Sequence, residues 1–238
     1  MSSKSVIAGL DEAANDFLRR TRYFHEELTP GRAKMFVMQH RQNSRFRNSV
    51  LKLRVATNCP DWDIRLRIIE ACSQEIIADN EFGHGRPHWK IMEDLGVAIG
   101  LDRAEIEGAT PLPSTRLAWS AWEGLMSHCH WLEGLIANTC AERVNVPGYG
   151  EGAVHEMGWS GAEGERWCKL LGLRDEELEF FAIHGPADVE HSDLGWNTVA
   201  ERAAEFGMED AVVEACRTNL VVWEHYFNGI GDGGDQLN

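Results

Sequence analysis

The run Phe180-Phe181-Ala182-Ile183-His184-Gly185-Pro186-Ala187-Asp188-Val189-Glu190-His191 sets two histidines and an aspartate at spacings of four and three. On an α-helix, residues three and four apart stack on one face, a turn above each other. The segment therefore predicts a helix that aims two imidazoles and a carboxylate the same way. That set suits a divalent transition metal such as iron, zinc or manganese.

Helical periodicity dominates elsewhere too, and the alternation of half-buried strands is hard to find. Helices are predicted over about 10–28, 33–56 and 60–81, with Pro30 ending or redirecting the first. Gly83, Gly85 and Pro87 interrupt the third, and a helix resumes over 88–99. A short helix at 101–109 takes Asp102 as its cap, and the longest run spans 114–145 until Pro147. The glycine-rich stretch 148–164 reads as a loop, followed by helices at 164–172, 175–192 and 196–228. The expectation is an all-α bundle of seven to eight helices with a metal site in its core, where facing helices supply the ligands. It forms one domain over 1–238, with 1–8 and 229–238 frayed.

A formal net charge of -15 repels phosphate backbones and anionic lipid, which argues against nucleic acid and membrane surfaces as partners. No apolar run reaches the length of a membrane span, and the N-terminus lacks a signal-peptide core. The six cysteines, none in a CxxC, read as buried reduced thiols. A cytoplasmic location is the expectation.

Three segments carry groups a metal would want. In Asn80-Glu81-Phe82-Gly83-His84-Gly85-Arg86-Pro87-His88-Trp89, the residues Glu81, His84 and His88 share a face if the helix continues. Glu142 ends the long helix, and the third segment is the opening run. Glu81, His88, Glu142, His184, Asp188 and His191 together offer three carboxylates and three imidazoles, enough for two ions with open positions. Such a set favours iron or manganese over a thiolate-rich structural zinc.

These segments resemble the haem-oxygenase-like di-metal oxidases and oxygenases, whose scaffold is shared by pyrroloquinoline-quinone synthase and thiaminase II. The motifs are Asn80-Glu81-x-Gly-x-Gly-x-x-His88-Trp89, the helix end with Glu142, and Phe180-Phe181-x-x-His184-x3-Asp188-x2-His191. The likeness covers roughly 30–228. It implies two iron ions cycling between Fe(II) and Fe(III), O2 as co-substrate, and the six residues above as ligands. His84 is the alternative ligand, because some members space their first Glu and His three apart. The resemblance further implies a small-molecule substrate, an external electron donor and a homodimer. The substrate expected is a small amino acid or related carboxylic acid, cleaved oxidatively at C–C or C–N in specialised metabolism. Arg86 and His40 are the candidate substrate-binding groups. One branch of the family consumes its own lysine and tyrosine; no lysine stands just after Glu142, which points away from that branch. The competing readings are a thiaminase II-like metal-free hydrolase, with Cys129 or Cys140 as its thiol, and a ferritin-like iron-binding bundle built on Glu81-x2-His84 and Asp188-x2-His191.

Overall fold

The computed structural model describes residues 3–237, with the side chains of 186, 187 and 190 left aside. Among these residues it holds eleven α-helices and no strand. In chain order they are α1 (Ser3–Arg20), α2 (Pro30–Phe46), α3 (Lys52–Asn58), α4 (Trp62–Ile76), α5 (His88–Ala98), α6 (Arg103–Gly108), α7 (Pro113–His128), α8 (Trp131–Thr139), α9 (Ala153–Leu171), α10 (Glu179–Phe206) and α11 (Glu209–Asp235). Short 3-10 turns lie at Arg22–Phe24, Glu142–Asn145 and Asp175–Glu177.

Local chemistry sets several boundaries differently from the periodicity. Pro30 starts α2 rather than ending α1, because Thr29 caps the helix with its side chain and proline fits the first position. The run 114–145 breaks at Cys129, whose backbone is extended (ψ 175°). There His130 and Glu133 form a capping box that opens α8. The glycine-rich stretch is largely helix, since α9 begins at Ala153 and is kinked at Gly158 (φ 76°, ψ 165°). The anticipated break between 192 and 196 is absent, and Gly207 (φ 64°) supplies it further on. The ends expected to fray are helical over residues 3–8 and 229–235, where Val6 and Ile230 are fully buried and Asp235 holds Arg32; residues 1, 2 and 238 lie outside the described residues.

The core is a continuous apolar cluster with Trp122, Trp167, Trp196, Tyr23, Tyr226 and Phe36 among its largest fully buried side chains. Helix α11 packs on α1, α2, α7 and α8, while α10 packs on α8 and α9. Two glycines permit the closest approaches. A Cβ on Gly195 would lie 1.8 Å from Thr139 Oγ1, and one on Gly158 would lie 2.0 Å from the carbonyl oxygen of Asn145. Between α2 and α3 the chain makes a π-helical turn, Arg47–Leu51. In an unbroken α-helix Lys52 would point about 120° away from His40, at 100° per residue. The wider turn absorbs that surplus, so that His40, Ser44, Asn48 and Lys52 all line one interior cavity.

Candidate metal centre

Four elements meet beside that cavity. Helix α4 contributes Glu75, the first residue of α5 is His88, Glu142 opens the 3-10 turn after α8, and α10 carries His184, Asp188 and His191. Ligand-type atoms of Glu75, His88 and His184 lie within 4.8 Å of one another, and so do those of Glu75, Glu142 and His191. Glu75 is common to both groups. Asp188 joins the second, with Oδ1 4.0 Å from His191 Nδ1.

Each imidazole is tied from behind. His88 Nε2 donates to Asp79 Oδ2 at 2.9 Å, His184 Nδ1 to the Phe180 carbonyl at 2.6 Å, and His191 Nε2 to Gln74 Oε1 at 2.9 Å. The outer nitrogen of each ring carries a proton, so the inner nitrogen faces the cluster and can ligate a metal when it holds none. Asn145 steadies Asp188 similarly: its Nδ2 donates to Oδ2, while its Oδ1 accepts from the backbone and hydroxyl of Ser160. The inward atoms His191 Nδ1, Glu142 Oε2 and Asp188 Oδ1 are buried and have no hydrogen-bond partner. Buried polar atoms nearly always find one, so these three orphans, with Glu142 Oε2 at 3.8 Å and Asp188 Oδ1 at 4.0 Å from His191 Nδ1, mark a place suited to a cation. This donor set, with carboxylate oxygens and imidazole nitrogens and no thiolate, fits iron.

Two protein cations face the same carboxylates. Lys52 Nζ pairs with Glu142 Oε1 at 2.5 Å, and His88 Nδ1 lies 3.1 Å from Glu75 Oε2. Burial works against a charge on His88, but Glu75 and Asp79 overcome it and raise its pKa to about 9. Burial raises Glu75 as well, yet His88 and Lys52 hold it well below the usual carboxylate range. Burial and the neighbouring Glu142 push Asp188 well up. His184 falls to about 4 through burial and the nearby His88. Without metal, the protonated His88 and Lys52 offset the charge of Glu75, and burial beside Glu142 favours the neutral form of Asp188.

The cavity encloses about 680 Å³ of empty space, its mouth included. Glu75, Glu142, His184 and Asp188 form part of its wall, and Phe17, Phe24, Trp159, Phe180, Trp223 and Phe227 form much of the rest. His40 lines it too, stacked on Phe36 at 5.0 Å, with burial and then His184 lowering its pKa to about 3.

Of the residues singled out from sequence, His88, Glu142, His184, Asp188 and His191 come together and His40 faces the cavity. Glu81 does not join them. Helix α4 stops at Ile76, so Glu81 stands exposed on the loop that follows, its backbone N–H bonded to Asp79 Oδ1. Glu81 lines a surface pocket with Gln74 and His191, and Glu75 is the glutamate within both groups. His84 is exposed on the same loop at φ 51°, away from the cluster. Arg86 pairs with Asp94 and Glu179 and is absent from the cavity wall. The ferritin-like reading loses its Glu81-x2-His84 pair, which is exposed. The thiol reading fares no better: Cys129 and Cys168 are exposed, Cys59, Cys72, Cys140 and Cys216 are buried, and none lines the cavity.

Glu75, Asp79, Lys52 and Arg47 escaped the sequence reading. Glu75 carried a signal, because Ile68, Cys72 and Glu75 repeat the spacing of four and three on the buried face of α4. Lys52 carried none. It is the lysine against Glu142, but it arrives from a distant part of the chain through the π turn.

An all-α bundle with carboxylates and imidazoles converging beside a cavity defines a haem-oxygenase-like helical protein with a candidate metal centre. A solved structure, described as a domain of unknown function with a heme oxygenase-like fold from Shewanella denitrificans OS217, superposes with a TM-score of 0.76. The two share 15% sequence identity, and the match covers 100% of this chain and 95% of that one. No match was found among curated proteins. The model of a family described as iron-containing redox enzymes matches residues 53–224, and the chain belongs to that family. No helix among the described residues is long and apolar enough to cross a membrane.

Proposed function

We propose that this protein is a non-haem di-iron oxidoreductase that uses O2 to oxidise a small organic acid, amino acids included, in specialised metabolite biosynthesis. The observation that carries the reading is the convergence of inward-facing orphan atoms from Glu142, Asp188 and His191 beside Glu75, which His88 and His184 approach from the other side. Glu75, His88 and His184 would hold one ion, and Glu75, Glu142, Asp188 and His191 the other. Bound there, two irons supply the electrons that dioxygen requires and dioxygen itself cannot draw from a closed-shell substrate. The chain supplies the rest. Asp79, Gln74 and the Phe180 carbonyl fix the ring orientations. The aromatic wall keeps bulk water from the substrate side, and Lys52 keeps an ammonium proton against Glu142 Oε1, within the cavity.

Anaerobic titration with Fe(II), followed by rapid mixing with O2 in the presence of candidate acids, tests the reading. Two irons per chain and O2 uptake accelerated by one substrate class are expected. Failure to bind iron, or no O2 consumption at any loading, would sink it. A Cys140→Ala variant should keep full activity; dependence on that thiol without iron would favour the hydrolase reading instead.

A further inference from the structure

Arg47 is a buried cation without a carboxylate. Its residue is 3% exposed, yet among the described residues no carboxylate oxygen comes within salt-bridging distance. The other strongly buried cations are matched: Arg32 by Asp235 and Glu26, Arg41 by Glu93, Lys52 by Glu142. One amino group of Arg47 donates to the carbonyls of Ala137 and Asn138, both at 3.0 Å. The guanidinium lies 5.2 Å from the Trp122 ring and 5.1 Å from the Trp223 ring. Its Nε is buried and unbonded. Buried arginine is costly unless a planar anion meets its fork.

Arg47 lines the same cavity as the candidate metal centre, and so does His40, whose Nδ1 is also buried without a partner. Two unused groups of the kind that bond a carboxylate thus share one wall. Phe17, Phe24, Trp159 and Phe227 give the wall an aromatic part, beside polar side chains that include Ser44, Asn48 and Lys52. The carboxylates on the wall are Glu75, Glu142 and Asp188, all members of the ligand cluster. A substrate ammonium therefore finds no free counter-charge.

We propose that Arg47, assisted by His40, anchors the carboxylate of an arylalkyl carboxylic acid whose ring lies on the aromatic wall. This rests on the reading that the cavity serves the metal centre, and it narrows the substrate from amino acids to acids lacking the ammonium. Arg47 takes the role that Arg86 was expected to fill. With Nη2 held by the two carbonyls, Nε–H and the Nη1 group remain to donate to a carboxylate, in charge-assisted bonds that a neutral amide makes only weakly and an ammonium cannot accept.

Binding of hydrocinnamate, its neutral amide and phenylalanine is measured by calorimetry and tryptophan fluorescence. Metal-free and Zn(II)-loaded protein are both used, so that neither iron nor O2 enters the test. The acid should bind at least ten-fold more tightly than the amide and than phenylalanine in both forms. Arg47→Gln should weaken the acid about ten-fold or more and leave the amide unchanged, with Arg47→Lys recovering part of the loss. The ligand series on the natural chain decides the question even if the variant fails to fold. Equal binding of acid and amide, tighter binding of phenylalanine, or acid binding that needs Zn(II) and ignores Arg47→Gln overturns the proposal. Metal content, measured separately, reports on the di-iron reading whatever these arms give.

Discussion

Asp79 divides its carboxylate between a loop and an imidazole. Oδ1 accepts from the backbone N–H groups of Glu81 and Phe82, both at 2.9 Å, and Oδ2 accepts from His88. Partners of this kind behind a ligating histidine are worth roughly ten- to hundred-fold in metal affinity. Asp79→Asn should lose about that much in a competition titration with a chelator while iron stoichiometry is preserved at saturation. Glu75→Ala removes the residue common to both groups, so bound iron should fall below one ion per chain. Glu81→Ala should bind iron as the natural chain does, and a loss equal to that of Glu75→Ala would restore Glu81 as the ligand. The pair also shows where reading residues one by one stopped. The motif on α10 was legible because its three residues lie within one helix and point together. Glu81 shares a face with His88 only on a continuous helix, whereas α4 ends at Ile76 and the Asp79 loop, bonded within itself and to His88, carries the chain on.

At the scale of elements, close approach and an inserted turn shape the site. Gly195 lets α10 lie against Thr139 on α8, and Gly158 bends α9 over Asn145, the residue that holds Asp188. Gly195→Ala forces a methyl into Thr139 and should destabilise the fold by about 1–3 kcal/mol in denaturant unfolding. Gly158→Ala adds a clash with backbone and an unfavourable positive φ, so its loss should be the greater of the two and should carry reduced metal binding with it. Unchanged midpoints in both would contradict the packing described. Helix existence was largely readable from apolar spacing, whereas several boundaries were not. The break at Cys129 comes from the His130–Glu133 capping box, and the continuity of α10 through 193–195 comes from burial against α8 and α9. The π turn has no signature in apolar periodicity, which is why Lys52 and Arg47 stayed invisible.

For the molecule as a whole, the buried imidazoles dictate a pH response. His88 has its pKa raised to about 9, above the ordinary value of about 6.5. The stability it gives the metal-free protein is complete below about pH 6.5 and disappears as pH rises through about 9. His40 and His184 are lowered to about 3 and about 4, so their contribution is present above about pH 6.5 and lost as pH falls below it. The Tm of the metal-free protein should therefore peak near about pH 6.5 and decline on both sides. His88→Gln should flatten the alkaline side, and so should a bound divalent metal, which takes the place of the proton on His88. An alkaline decline that persists in both would refute the charge balance assigned to His88, Glu75 and Lys52.

The bond from His88 to Asp79 connects the centre to the outside of the protein. A metal on Nδ1 replaces a mobile proton with a fixed bond, so the ring and its Nε2–H to Asp79 are held in place. Asp79 in turn pins the amides of Glu81 and Phe82, on a loop whose Glu81, His84 and Gly85 are exposed. The loop thus acts as a gauge of whether the core is filled. Amide exchange at Glu81 and Phe82, and cleavage of 79–87 by protease, should both slow on metal loading, and Asp79→Asn should silence the gauge while leaving the centre able to fill.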